Sequence, residues 1–339
     1  MSDREDQINT FLQANGWDPR ARRPLADDAS FRRYERLREG PRTAVLMDAP
    51  PPQEDIQSFV SMARHLAALG YSAPRIIAEN LKHGLLIIED LGDHTYTRVL
   101  SETPEREADM YAMAVDLLID LHGRPTAESL PPGLAPYDLE LLNQETLLLP
   151  DWFMPAITGA PTPAPVRASY LAAWRDSLTQ AACHPPTLVL RDFHVDNLMW
   201  LADRNGTRAC GLLDFQDAVA GPAAYDLMSL LEDARRDIPP DLIANMIGRY
   251  FSAFPNLNRD AFRTVFAILA AQRHAKVIGI FTRLCVRDAK SAYLLHIPRV
   301  WRLLDASLQH PALGAVAAWF AEHVPPNLRI TPPNPTRQP

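Results

Sequence analysis

Two short apolar runs, Leu198–Leu201 and Cys210–Leu213, bracket the polar stretch Ala202-Asp203-Arg204-Asn205-Gly206-Thr207-Arg208. Asn-Gly is the strongest two-residue hairpin signal, because a type I′ turn needs positive φ at both central residues. The spacing predicts two strands folded onto each other, with Asn205 and Gly206 at the turn centre and Asn197 facing Asp214. Two oxygen ligands brought together across a hairpin suit one hard cation such as Mg²⁺. Just upstream, Leu188–Leu190 reads as another short buried strand and leads into Asp192, on a loop where its carboxylate can face a second reactant. One carboxylate to orient a hydroxyl and two oxygen ligands to hold a metal make a constellation with chemical meaning. The same residues also fit an ordinary hairpin with polar ends.

Composition narrows the classes. The chain has 339 residues and a net charge of −7, which argues against a general nucleic-acid surface. Cys183, Cys210 and Cys285 are far apart and odd in number, with neither a metal-ligand spacing nor a disulfide framework. They read as reduced residues of a cytoplasmic protein. The charged start Met1–Asp6 is no signal peptide, and no run approaches the length of a membrane helix. Neither a nucleic acid nor a membrane is expected as a partner, and a monomer is expected. Asn205-Gly206-Thr207 matches a glycosylation acceptor and reads here only as a turn.

The periodicities order the chain. A helix is expected over 5–15, with Ile8, Phe11 and Leu12 on one face. Strands follow at Arg22–Ala26, Arg33–Arg38 and Thr43–Asp48, then a helix over Ile56–Leu69 that ends at Gly70. Arg75–Glu79 and Leu85–Glu89 are two more strand candidates. Beyond Asp93 the pattern turns helical: Glu105–His122, Leu139–Phe153, Pro165–Ala182, Asp226–Arg236, Pro240–Phe251, Arg259–Leu284 and Pro298–Leu304, with a loop at Pro125–Pro136. Pro325–Pro339 reads as a frayed tail. The expected division is 1–92, 93–324 and a tail 325–339.

Five stretches carry a resemblance. They are Asp28–Tyr34, Ile87–Asp93, the Asp192 loop, Asp214–Ala218 and Gly221–Leu227. Together they resemble the aminoglycoside phosphotransferase and choline kinase superfamily, over roughly Asp27 to Pro298. Within it the pattern is most similar to bacterial anomeric sugar kinases of cell-wall recycling, which phosphorylate the 1-hydroxyl of N-acetylmuramic acid and N-acetylglucosamine. The resemblance implies an α+β, bilobal protein-kinase-like fold, with a small β-rich N-lobe and a larger, mostly helical C-lobe. It also implies ATP and Mg²⁺ as cofactors and a small-molecule amino sugar as substrate. The same chemistry on an aminoglycoside or amino alcohol, and a non-catalytic binding module of this fold, are the competing readings.

Carried over by position, Asp192 resembles the catalytic base, and Asn197 and Asp214 the metal ligands. Ala29, Ser30 and Phe31 lie in the turn that resembles the phosphate cover, where small residues let backbone N–H groups approach. Glu89 and Leu91 resemble the hinge that meets the adenine edge, or a plain interlobe linker. Asp226 is expected to N-cap the following helix and brace the Asp192 loop. One departure is plain. Kinases of this fold place a Lys on the third strand, paired with a Glu of the small-lobe helix. Here no Lys precedes Lys82, Met47 lies near the expected place, and Ile56–Leu69 contains no Glu. Another cation must face the phosphates. Arg32 and Arg33 are the candidates, and Arg32 is favoured because it shares a face with Tyr34 and Arg36 if the segment is a strand. On the acceptor side Glu145, Trp152, His194, Asp196 and Arg273 are candidates, together with Lys276. Arg273 and Lys276 either meet an acidic acceptor or pair internally.

Overall fold

The computed structural model describes residues 3–25, 32–52 and 55–334. The chain divides into two compact units, residues 1–117 with 195–218, and residues 118–194 with 219–339. The expected boundary near residue 92 lies inside the first unit.

The first unit is built on an antiparallel sheet of order β1-β2-β3-β5-β4, with β1 Arg22–Pro24, β2 Arg33–Glu39, β3 Arg42–Asp48, β4 Ile76–Asn80 and β5 Leu85–Ile88. Side chains alternate across a strand, so each strand divides between two faces. Leu37, Ala44, Leu46, Leu85 and Ile87 take one face and are covered by helix Asp3–Ala14 through Ile8, Phe11 and Leu12, with Trp17. Those helical positions share a face because 3.6 residues complete a turn. Each such side chain taken fully from water is worth about 1.5–3 kcal/mol. Tyr34, Arg36, Val45 and Ile88 are left on the other face. Helix Gln57–Ala68 stops before Gly70, whose φ of 92° only glycine adopts at little cost.

The hairpin also belongs to this unit, but its turn differs from expectation. Strand Leu198–Trp200 pairs with Cys210–Leu212 in the register Leu198↔Leu212, Met199↔Gly211 and Trp200↔Cys210, one residue away from the expected pairing. Asn205 is extended at φ −115° and only Gly206 has positive φ, at 59°. The connection is two successive turns, Leu201–Arg204 and Gly206–Ala209, in place of one two-residue turn. Backbone bonds from Leu212 N–H to Ser72 O (2.9 Å) and from Trp200 N–H to His94 O (2.8 Å) fasten the hairpin beside the sheet.

The second unit is mostly helical. Among its described residues, Pro186–Val189 pairs with Val219–Pro222, and the longest helix is Arg259–Asp288. That helix reaches a membrane-spanning length, contrary to expectation, yet 78% of its apolar window is buried within the protein. It is a core helix. Gly279 on it meets Leu148 so closely that a Cβ would lie 2.3 Å from the Leu148 carbonyl carbon. The expected single helix over Leu139–Phe153 is broken: Leu139–Thr146 is α-helical, and Leu149–Phe153 is a π-turn containing Pro150. Proline cannot donate to the helical ladder, which accounts for the break. The helix expected over Asp226–Arg236 runs Ala224–Leu231 with Ala223 as N-cap, so Asp226 lies inside it and is not the cap. Helices Tyr96–Glu102 in the first unit and Gly314–His323 in the second escaped the sequence reading. Part of the expected tail is anchored. Arg329 pairs with Asp305, donates to Val324 O and lies over the Trp301 ring. Residues 335–339 lie outside the described residues.

Gly279→Ala tests the close approach. Alanine favours a helix over glycine by about 1 kcal/mol, but overpacking against Leu148 costs roughly 1–3 kcal/mol or more. The expected outcome is a lower Tm despite the better helix former, read by differential scanning calorimetry.

Candidate active site

In the first unit a cavity of about 620 Å³ opens on the sheet face opposite helix Asp3–Ala14. Tyr34, Arg36, Val45 and Ile88 form its sheet side, Glu89–Asp93 its hinge side, and Asp196, Asn197, Leu213 and Asp214 its hairpin side. The pairing of the two candidate metal ligands survives the shifted register. Asn197 O accepts from Leu213 N–H (2.9 Å), so Leu213 is the residue opposite. Asp214, next along, has φ 57°, a left-handed conformation that Asp tolerates better than most residues. The strand alternation ends there, and Asn197 Nδ2 donates to Asp214 Oδ2 at 3.3 Å. Gln216 Nε2 donates to Asp214 Oδ1 at 2.7 Å. Phe215 is buried and stacks on Phe59 with ring centroids 5.1 Å apart, which anchors the turn.

One amide oxygen and one carboxylate form an incomplete cage. That suits Mg²⁺, which keeps waters and takes substrate phosphates alongside one or two carboxylates. Among the described residues no group of three or more His, Cys, Asp or Glu residues could hold a metal by itself.

The second unit carries Asp192. Its loop is fixed from beneath by Asp226, which is fully buried and accepts from the backbone N–H groups of both Leu190 (2.6 Å) and Arg191 (2.9 Å). The expected brace is therefore present without the expected cap. Burial pushes the Asp226 carboxyl up to about 7, against the two backbone bonds and the nearby Arg273 charge. Arg191 sits at φ 68°, a strained value for a residue with a long side chain. Arg273 Nη1 donates to Arg191 O (3.0 Å) and Tyr225 Oη (3.1 Å), while Nη2 donates to Asp192 Oδ1 at 3.4 Å. Burial works to raise the Asp192 pKa. The cations Arg273, Lys276 and Arg191 prevail and hold it at about 2. Asp192 is an ionised acceptor throughout the neutral range, with its side chain still 35% exposed.

Glu145 lies at the centre of a buried polar cluster in the same unit. Arg191 and Lys276 (2.7 Å) form ion pairs with it, Gln272 Nε2 donates to it at 2.9 Å, and the Tyr137 hydroxyl donates as well. Burial opposes its charge, but Lys276 and Arg191 hold it at about 2. Arg273 and Lys276 are thus paired internally. His194 is buried, and desolvation keeps its pKa below the ordinary value, so its ring stays neutral. Trp152 lies half-buried on the π-turn.

The remaining candidates are dispersed within the first unit. Ala29, Ser30 and Phe31 lie outside the described residues. Arg32 immediately precedes β2. Arg33 turns to the face away from the cavity and pairs with buried Asp48 at 2.8 Å. Glu89 and Leu91 line the cavity, while the Glu89 carboxylate pairs with Arg75 (3.2 Å) and Arg204 (2.8 Å). Asp196 also lines the cavity and accepts from Thr97 Oγ1. Arg36 escaped the list of site residues, although strand alternation had placed it on one face with Tyr34.

A model described as the phosphotransferase enzyme family matches residues 21–263. The N-acetylmuramate/N-acetylglucosamine kinase of Caulobacter vibrioides is 35% identical, over 97% of this chain and 99% of that protein. The protein of the same name from Pseudomonas aeruginosa is 37% identical over 95% and 98%. Among solved structures, the choline kinase of Streptococcus pneumoniae superposes with a TM-score of 0.63 at 11% identity, covering 91% of this chain and 100% of that one. An ADP-bound aminoglycoside phosphotransferase gives 0.56 at 16% identity, covering 91% and 98%. At these identities the structural likeness is one of fold.

The Glu145 cluster yields a pH prediction. Its folded pKa of about 2 lies below the ordinary 4.5, so its stabilisation is complete above pH 4.5 and is lost as the pH falls through about 2. Glu145→Gln leaves two buried cations uncompensated. The expected loss at pH 7 is about 3–5 kcal/mol, and the gap to wild type narrows as the pH falls from 4.5. Urea unfolding across that range checks both parts.

Proposed function

Because the chain belongs to the phosphotransferase enzyme family, we propose that it is an ATP- and Mg²⁺-dependent kinase. Its proposed reaction is phosphorylation of the anomeric (C1) hydroxyl of N-acetylmuramic acid and N-acetylglucosamine, giving sugar 1-phosphates in cytoplasmic cell-wall recycling. The observation that carries the substrate reading is the likeness to two kinases of that name, which runs along nearly the whole of both chains and is not confined to the Asp192 motif.

The residues fit the chemistry. Asp192 accepts a hydrogen bond from the acceptor hydroxyl, aims its oxygen and takes its proton late in a loose transition state. A carboxylate held at about 2 is a weak base. An anomeric hydroxyl, more acidic than other sugar hydroxyls, is the acceptor that such a base serves best. Arg273 keeps Asp192 ionised and Asp226 holds its backbone. Asn197 and Asp214 would hold the metal, which when bound neutralises charge on the transferring phosphates. The backbone at Glu89–Leu91 takes the adenine edge, and Ala29, Ser30 and Phe31, which lie outside the described residues, are the expected phosphate contacts. Trp152 and His194 are the acceptor contacts on the second unit, with Glu145 and Arg273 organising the loop.

The test is a sugar panel with ATP and Mg²⁺, the product being located by phosphorus NMR. Phosphate at C1 is expected, with a 1-deoxy sugar binding without reacting. Phosphate at C6, or activity confined to aminoglycosides, would refute the anomeric sugar reading. Asp192→Asn should preserve nucleotide binding and cut kcat by roughly 10²–10⁴-fold. A near-normal rate would remove Asp192 from its role.

A further inference from the structure

The first-unit cavity is strongly unbalanced in charge. Among the described residues five carboxylates line it, those of Glu89, Asp90, Asp93, Asp196 and Asp214, and Arg36 is the sole cation. A nucleotide triphosphate would bring several more negative charges to this wall. The third strand offers nothing to meet them, since Met47 is buried there and no lysine precedes Lys82. Arg33 is spent on Asp48 across the sheet.

Arg36 is set differently from an ordinary surface arginine. It stands on β2 opposite Val45, which in turn stands opposite Ile88 on β5, so the three form a row leading to the hinge. Its Nε lies 2.8 Å from Asp90 Oδ2, Nη2 donates to Asp90 Oδ1 (3.1 Å) and Gly92 O (3.2 Å), and Nη1 donates to Asp93 Oδ2 (3.0 Å). The bond to Asp93 raises its pKa, against partial burial, and Asp90 adds to that, so it stays charged. A guanidinium has five N–H donors, two of them on Nη1. One Nη1 hydrogen has no partner among the described residues, and the side chain is 22% exposed. The side chain is therefore immobilised, charged and still able to donate.

We propose that Arg36 is the nucleotide-binding cation of this protein. Its remaining Nη1 hydrogen donates to an oxygen of the nucleotide's ribose–triphosphate, and its charge supplies what the missing strand lysine would have brought. Asp90 and Asp93 hold the guanidinium in place for that contact. This assignment rests on the kinase reading, and nucleotide binding measured without turnover tests it separately from the choice of acceptor.

Calorimetry with ATP and Mg²⁺, in the absence of any sugar, is the experiment. Arg36→Ala should weaken nucleotide binding by roughly 10–100-fold, the scale of one charge-assisted hydrogen bond. In steady state the acceptor KM should remain within about 2-fold, a split that general damage to the fold would not produce. The double variant Arg36→Gln/Asp90→Asn removes the ion pair without leaving a buried carboxylate alone, and it controls for folding. It too should bind weakly. Wild-type affinity in the double variant would show that Arg36 only cancels the Asp90 charge, and would overturn the proposal, as would unchanged affinity in Arg36→Ala. A wild-type protein that binds no nucleotide would overturn the kinase reading and this assignment together.

Discussion

A buried carboxylate receiving two consecutive backbone N–H groups holds the Asp192 loop in place. Asp226 occupies both its oxygens with Leu190 and Arg191. Those bonds keep the chain in the unusual turn at Arg191, where φ is positive. Only in that turn does the Arg191 carbonyl accept from Arg273, and the same guanidinium then reaches Asp192. The backbone geometry at Arg191 thus helps set the cation that lowers the Asp192 pKa. Burying a lone carboxylate is costly unless its lone pairs are satisfied, and here the peptide groups of the loop satisfy them.

The sequence revealed elements and pairings better than it revealed partners. The sheet strands and the helix over Ile56–Leu69 were legible because their periodicities are local. Asn197 and Asp214 were read as neighbours from a type I′ turn that does not form. They meet because Asp214 leaves the extended conformation at the end of its strand, and no propensity rule foretells a positive φ at an aspartate. Asp226 was read correctly as a brace and wrongly as a cap, because the helix begins two residues before it.

Long-range ion pairs were out of reach. Arg36 meets Asp90 and Asp93 from 54 and 57 residues away, so strand alternation could give its face and not its role. Glu145 finds Arg191, Gln272 and Lys276 across separations of 46, 127 and 131 residues. Nothing in a one-dimensional pattern distinguishes such a glutamate from an exposed one. Between the two early arginines, strand alternation favoured Arg32, and nothing in the sequence showed what Arg33 would meet. The pleat sends Arg33 to the opposite side of the sheet from Arg36 and lets buried Asp48 claim it.

The Glu145 cluster has a further consequence for how such a chain can change over generations. One buried carboxylate pairs with cations from the Asp192 loop and from the core helix Arg259–Asp288. Loss of Glu145 takes the shared carboxylate from both Arg191 and Lys276, whereas loss of either cation leaves Glu145 paired with the other. A change at 145 is therefore costlier than a change at 191 or 276 taken singly. The loop that carries Asp192 is shielded from gradual drift by the electrostatics beneath it, while exposed positions such as Leu295 on the same unit remain open to replacement one at a time.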